Sequence, residues 1–197
     1  MSSIGCIAMT REVRERDGKR WVIGDSADVA WLASAVDYFA ERVSLVPPAF
    51  AAYCQLDLPD HAPGAQVRHD SALVSILSGA SATRDWWLGY LEYGIGIDLP
   101  FDDAPRTNLF TWNYVLVRAG PEQALNWRAS ESPIAWKGAL PDLIFPVDRS
   151  WVLITDWDAR WSGIGGADDL VQGLLHDPEL GPRTRRVTYP VWRPVKR

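Results

Sequence analysis

The feature that most constrains the fold is the order in which two kinds of hydrophobic pattern follow each other. Apolar residues alternate with polar or small ones, or form short apolar runs, in segments typical of β-strands: 50–58, 86–91, 109–118, 151–155 and 161–164. Helical spacing occurs in separate segments between them: 27–43, 70–77, 121–128 and 167–176. This order lacks a regular βαβ repeat, so it predicts the α+β class, an antiparallel or mixed sheet with about four helices packed on it.

Turn residues divide these segments further. Asp17-Gly18 is a two-residue hairpin signal that predicts a strand over Ile7–Arg14 and a second over Arg20–Ile23. The segment Ala27–Val43 has the clearest helical spacing and predicts one continuous helix. The whole chain, 1–197, is expected to form a single domain, with a flexible basic tail over 183–197.

Tryptophan is unusually frequent, with 11 residues spread along the chain. An indole ring can bury about 200 Å² and carries one N–H that needs an acceptor. The spread follows the predicted strands and helices, which favours a core built on large rings. The alternative is an aromatic binding surface.

The net charge and the cysteine content restrict the kinds of partner and of metal or redox site that the chain can have. The formal net charge is −5, which argues against nucleic acid as a partner. Cys6 and Cys54 form no CxxC pair, so zinc ribbons and thioredoxin-like redox sites are excluded. The sequence predicts no cofactor, no metal and no membrane segment, and the expected location is the cytoplasm.

The sequence disfavours four familiar kinds of catalytic or ligand-binding motif. Gly163–Gly166 precedes a helix as a phosphate-binding loop would, but Asp168 and Asp169 in the first turn would repel a phosphate. No two of the three histidines lie four residues apart, and there is no nucleophile elbow. His69-Asp70 could orient an imidazole as a base, although a helix cap at Asp70 is the preferred interpretation.

Two carboxylates flank an aromatic residue near the end of a predicted strand. Asp156 and Asp158 lie on either side of Trp157, and Trp161 follows. Residues i and i+2 share one face of a strand, and paired carboxylates beside aromatic rings are typical of sugar sites. A polar hairpin turn is the alternative interpretation. A pocket would involve Trp112, Asp156, Trp157, Asp158 and Trp161.

Four stretches resemble a group of uncharacterised proteins from high-GC actinobacteria: Asp85–Leu91, Tyr114–Gln123, Trp136–Asp142 and Asp148–Trp151. The stretch from Trp157 to Gly166 and the helix after it belong to the same resemblance, which covers most of the chain from Trp31 to Val187. Arginine strongly outnumbers lysine, in agreement with a high-GC source. The resemblance implies no function.

Three functional hypotheses remain, the third of which is a plain accessory domain of an assembly. The acidic balance, the many tryptophans and the lack of a catalytic set favour a non-enzymatic protein-binding module. It would resemble an immunity or antitoxin protein, with a basic toxin or an assembly component as its partner. The alternative is a small-molecule or sugar-binding protein, or a hydrolase, that uses Asp156 or Asp158 beside Trp157 and Trp161.

Overall fold

The computed structural model describes most of the chain. Its described residues are 11–16, 18–37, 42–44, 46–60, 62–92, 99, 101–109, 112–126, 140–155, 159–188 and 192–194.

Within these residues the chain forms four α-helices, two 3-10 helices and thirteen strands. The α-helices are α1 Ser26–Val29, α2 Ala65–Gly79, α3 Pro121–Asn126 and α4 Asp168–His176, and the 3-10 helices are Ala30–Ala35 and Gly181–Arg183. The strands are β1 Val13–Arg16, β2 Lys19–Ile23, β3 Val36–Asp37, β4 Arg42–Ser44, β5 Ala52–Asp57, β6 Trp86–Leu91, β7 Arg106–Leu109, β8 Trp112–Ala119, β9 Leu143–Pro146, β10 Val152–Thr155, β11 Trp161–Gly166, β12 Thr184–Val187 and β13 Trp192–Pro194. No helix among the described residues is long and apolar enough to cross a membrane.

Ten strands form one sheet in the order β1-β2-β8-β6-β9-β10-β11-β5-β12, with β7 also paired to β8. The strand pairs described in this sheet are antiparallel. A smaller sheet has the order β13-β4-β3. The expected α+β class is therefore confirmed, and the large sheet is antiparallel rather than mixed.

Both faces of the large sheet are buried. Successive residues of a strand point to opposite faces, so each strand contributes side chains to both. The first face carries Leu88, Ile144 and Leu153, in one cluster with residues of α2 and α4. The second face carries Leu116 and Phe145, in another cluster with Val29, Leu32, Val46 and Tyr53. Four tryptophans are buried in these clusters, as the core interpretation predicts: Trp21, Trp86, Trp87 and Trp151.

The continuous helix predicted over Ala27–Val43 is wrong. The helix begins at Ser26 after an Asp25 cap that accepts from Ala27 N at 2.8 Å, but α1 ends at Val29. A 3-10 helix follows, and the chain then enters strands β3 and β4, of which β4 pairs with β13. Strand pairing with a distant segment thus overrides the local helical spacing, which encodes no long-range partner.

Residues 183–197, expected to form a basic tail, include the edge strand β12 and β13. Two arginines of this segment lie beside acidic residues. Arg186 pairs with Asp168 at 2.8 Å, and Arg183 pairs with Glu179 at 3.2 Å.

Gly165 in β11 leaves space for two side chains that pack on the second face, those of Phe50 and Val46. A Cβ built on Gly165 would lie 2.5 Å from Phe50 Cδ2 and 2.7 Å from Val46 Cγ1. We expect Gly165→Ala to lower the free energy of unfolding by about 1–3 kcal/mol, since the overpacked side chains must move. Urea denaturation measures this change.

Gly173→Ala is the matched control for this prediction. Gly173 lies in α4, where a Cβ would meet its nearest neighbour, Ile76 Cγ2, at 3.8 Å. There alanine should stabilise the helix by about 0.5–1 kcal/mol. A Gly165→Ala variant that is as stable as the wild type would contradict the close packing at β11.

Candidate functional site

The residues predicted to form a pocket are only partly described. Asp156, Trp157 and Asp158 lie outside the described residues. Trp112 and Trp161 are both half-buried and pack on the second face near the same end of the sheet. Three strands, β6, β9 and β10, lie between their strands, so at about 4.8 Å per strand the two backbones are about 19 Å apart. The described residues therefore do not bring these two rings into one small pocket.

A row of polar side chains crosses the first face. Its member on β10 is Thr155, which precedes Asp156 in the sequence. The row consists of Tyr90, Asp142, Thr155 and Ser162 on neighbouring strands or strand ends, and is called the polar row. Tyr90, Asp142 and Ser162 are buried, and Thr155 is half-buried. The adjacent row, two residues along each strand, is entirely apolar: Leu88, Ile144, Leu153 and Ile164. The polar row is thus a polar strip within the apolar surface of this face, since Leu56 and Val115 lie beside its two ends and belong to the same core cluster.

Hydrogen bonds hold the polar row together. Thr155 N donates to the Asp142 carbonyl at 2.7 Å, and the hydroxyls of Thr155 and Ser162 lie 2.6 Å apart. Asp142 Oδ2 accepts from Leu91 N at 3.0 Å, and its own N donates to Gly89 O at 2.9 Å. The carboxylate therefore continues the pairing of β6 beyond the start of β9, and this structural role accounts for its burial.

Asp142→Ala should lower the free energy of unfolding by about 1–3 kcal/mol, because Leu91 N would be left buried without its acceptor. Asp142→Asn keeps an acceptor oxygen in the same place and should cost less. Thermal or urea denaturation of both variants compares them. If Asp142→Asn lowers the free energy of unfolding as much as Asp142→Ala does, loss of the hydrogen bond to Leu91 N is not the cause of the destabilisation.

A second polar cluster joins α2 to the end of β5 and to the 3-10 helix Gly181–Arg183. Arg183 Nη1 donates to His69 Nδ1 and to the Asp57 carbonyl, each at 2.8 Å, and Nη2 donates to the Glu179 carbonyl at 3.0 Å. Because arginine offers only donors, the Nδ1 of His69 must accept, and its ring proton lies on Nε2. Burial, and secondarily the charge of Arg183, lowers the pKa of His69 to about 3.

This cluster corrects the interpretation of Asp70 as a helix cap. α2 begins at Ala65, five residues earlier, so Asp70 lies inside the helix. Its Oδ1 accepts from Gln66 Nε2 at 2.7 Å. His69 is buried and neutral, and its described hydrogen bond is to Arg183, which suits a structural role better than that of a general base.

The glycine run Gly163–Gly166 belongs to β11 itself, and α4 begins at Asp168. A Cβ on Gly166 would lie 2.7 Å from Leu170 Cδ2. Close packing therefore explains Gly165 and Gly166, in agreement with the interpretation that this run does not bind phosphate.

An arginine lies over aromatic rings on the second face, at the end of the sheet opposite Trp112 and Trp161. The Arg149 guanidinium carbon lies 5.4 Å from the centre of the Trp31 ring. Trp31 packs edge to face against Phe145 at 5.3 Å and Phe50 at 6.3 Å between ring centres. Trp31 and Phe50 are half-buried and Arg149 is exposed. These three residues, Trp31, Phe50 and Arg149, are called the Arg149 surface.

The turn between β9 and β10 positions Arg149. Its N–H donates to the Pro146 carbonyl at 2.9 Å, and Asp148 Oδ1 accepts from Ser150 N at 3.0 Å. Arg149 adopts a φ of 57°, a left-handed conformation uncommon for a residue other than glycine. An exposed arginine beside a half-buried tryptophan can bind a second molecule, because these residue types dominate interface energies.

Sequence reasoning did not assign a role to Trp31 or Arg149. Asp148-Arg149 is a recognisable turn sequence, but only the fold brings it to Trp31. The polar row had a weak signal, since a hairpin of 151–155 with 161–164 places Thr155 opposite Ser162. Asp142 lies in a stretch whose many turn residues gave no reason to expect a strand.

Comparisons of the chain with family models, curated proteins and solved structures found no match. The resemblance to a high-GC actinobacterial group therefore stays a prediction. Among the described residues, no group of three or more His, Cys, Asp or Glu is placed to hold a metal ion.

Proposed function

We propose that the chain is a non-enzymatic protein-binding module whose contact with its partner is centred on the Arg149 surface. The observation that carries the proposal is the exposed Arg149 guanidinium, 5.4 Å from the centre of the half-buried Trp31 ring. Arginine and tryptophan are enriched among the residues that contribute most to protein interfaces. A rigid aromatic support also reduces the side-chain entropy lost on binding.

The partner in this proposal is another protein, such as a basic toxin or an assembly component, and the module acts as an immunity or antitoxin protein does. The net charge of −5 supports a basic partner, because opposite net charges accelerate encounter at long range. The cytoplasm remains the expected location. The resemblance to a high-GC actinobacterial group makes a lysate of such a bacterium the first source of partners.

Affinity capture from that lysate tests the proposal. Wild type is compared with Arg149→Glu and with Arg160→Glu, a matched control at another exposed arginine near the opposite end of the sheet. We expect Arg149→Glu to weaken binding of the captured protein by about thirtyfold or more, since a hot-spot residue contributes about 2 kcal/mol or more. Arg160→Glu should bind as the wild type does.

Two results would oppose the proposal. If the wild type captures no protein, the chain is not shown to be a binding module, and the proposal loses its basis. If a protein is captured equally by wild type and Arg149→Glu, its binding surface lies elsewhere. Isothermal titration of the captured protein with each variant gives the affinities.

The polar row favours a second candidate, a small-molecule site or hydrolase. Thr155 ends β10 within this row, and Asp156 follows it directly. Glycoside and ester substrates with a chromogenic leaving group test this candidate. Hydrolysis that Asp156→Asn or Asp158→Asn abolishes would favour it, and no rate above buffer would oppose it.

A further inference from the structure

The donors of Arg149 have no carboxylate partner within the part of the chain that the structure describes. Many other arginines do reach a carboxylate: Arg11, Arg14, Arg68, Arg84, Arg106, Arg183 and Arg186. The contact described for the Arg149 side chain is instead with the Trp31 ring. The N–H donors of a guanidinium lie in its plane, so a ring near Arg149 Cζ leaves donors able to reach an acceptor at the edge.

The fold holds the backbone of Arg149 and the aromatic ring beside its guanidinium in place. The backbone of Arg149 is held in the turn by its bond to the Pro146 carbonyl. Trp31 is held by Phe145, which is buried. The neighbouring Asp148 directs one carboxylate oxygen to Ser150 N within the turn. A group that binds here therefore meets a cation whose backbone and neighbouring ring need little further ordering.

We propose that the Arg149 surface binds an aspartate or glutamate side chain of the partner protein. The Arg149 guanidinium donates to both carboxylate oxygens, a planar geometry that suits arginine, while the rings of Trp31 and Phe50 pack against the apolar part of the partner. The inference rests on the proposed function and adds the chemistry of the contact. A partner can be basic overall and still present an acidic side chain at one contact.

Two other anions fit this surface less well. Capture of a chain's terminal carboxylate commonly uses a nest of backbone N–H groups, whereas the Arg149 surface consists of side chains. Nucleic-acid phosphates are bound by fields of several cations, and the chain's net charge of −5 opposes that approach. An acidic side chain requires only the one planar cation and its aromatic support.

Nuclear magnetic resonance of the full chain, labelled with ¹⁵N, tests the inference without the partner. The probe is the peptide acetyl-Gly-Glu-Gly-amide at millimolar concentration, compared with acetyl-Gly-Gln-Gly-amide and with inorganic phosphate. The observed signals are the Nε–H of Arg149 and the indole N–H of Trp31. The Nε–H of Arg160 serves as an internal control for general effects of charge.

The glutamate peptide should shift the Arg149 and Trp31 signals more than the Arg160 signal, and the glutamine peptide should not. The Trp31 shift should be lost in Arg149→Gln and strongly reduced in Arg149→Lys, which keeps the charge but not the planar donors. Equal shifts with both peptides, a response to phosphate alone, or no selective shift would each overturn the inference. If Arg149→Glu nevertheless abolishes capture of a protein, the proposed function stands and only the carboxylate contact fails.

Discussion

Trp151→Ala is expected to lower the free energy of unfolding by about 3–5 kcal/mol, the range observed when a large buried ring is removed. Trp151 is 0% exposed, and its ring meets that of Trp86 edge to face with 5.0 Å between centres. Its Nε1 donates to Ser81 Oγ at 2.8 Å, which ties β10 to the C-terminal end of α2. The cavity would therefore open where the first face and this helix meet. Equilibrium denaturation in urea measures the loss.

Ser81→Ala separates the hydrogen bond from the packing of the ring. The substitution removes the acceptor of Trp151 Nε1 and keeps the ring. It should therefore lower the free energy of unfolding by about 1–3 kcal/mol. Trp151→Phe should also cost less than alanine, because most of the apolar volume remains. If Trp151→Ala lowers the free energy of unfolding no more than Ser81→Ala does, packing of the Trp151 ring does not stabilise the fold as predicted.

Acidification should destabilise the protein through His69. Its pKa is about 3 in the native state, against 6.5 for an ordinary histidine. Between these values the unfolded chain binds a proton that the native state excludes, so stability falls as the pH falls from 6.5 toward 3. The loss approaches 1.4 kcal/mol per pH unit, or at most about 3 kcal/mol by pH 4. Above pH 6.5 histidine contributes no pH dependence.

His69→Gln isolates this effect from the titration of carboxylates. Glutamine can still accept a hydrogen bond from Arg183 through its amide oxygen, but it does not titrate. Denaturation curves for both proteins at several values from pH 7 to pH 4 give the difference in unfolding free energy. The wild type should lose more stability than His69→Gln over this range. Parallel pH profiles would show that His69 is not excluded from protonation in the native state.

The sequence predicted those elements whose signal is local. Strand β6 was predicted with the observed bounds, and β5, β8, β10, β11 and α4 were predicted close to their observed positions. The Gly18 hairpin was also predicted, with Gly18 at a φ of 67°. The segment after Val29 was predicted incorrectly, because pairing of β4 with β13 is a long-range interaction. β9 was missed because it is short, and turn residues precede it.

The candidate site depended even more on long-range contacts. Trp31 and Arg149 are far apart in sequence, and neither belongs to a motif with a known chemistry. Their proximity requires the second face, on which Gly165 leaves room for Phe50. The polar row depends on the register between neighbouring strands. This register places four residues side by side: Tyr90, Asp142, Thr155 and Ser162. Composition and spacing specified neither the strand order nor the register between neighbouring strands.

Hydroxyl-radical footprinting of the protein with its captured partner tests the central claim most directly, since oxidation rates report the exposure of individual side chains. Trp31 is half-buried in the isolated chain, and Trp161, near the opposite end of the same face, is a matched reference. The proposal predicts that oxidation of Trp31 slows in the complex while oxidation of Trp161 is unchanged. Unchanged oxidation of Trp31, with protection elsewhere, would contradict the assignment of the Arg149 surface as the binding site.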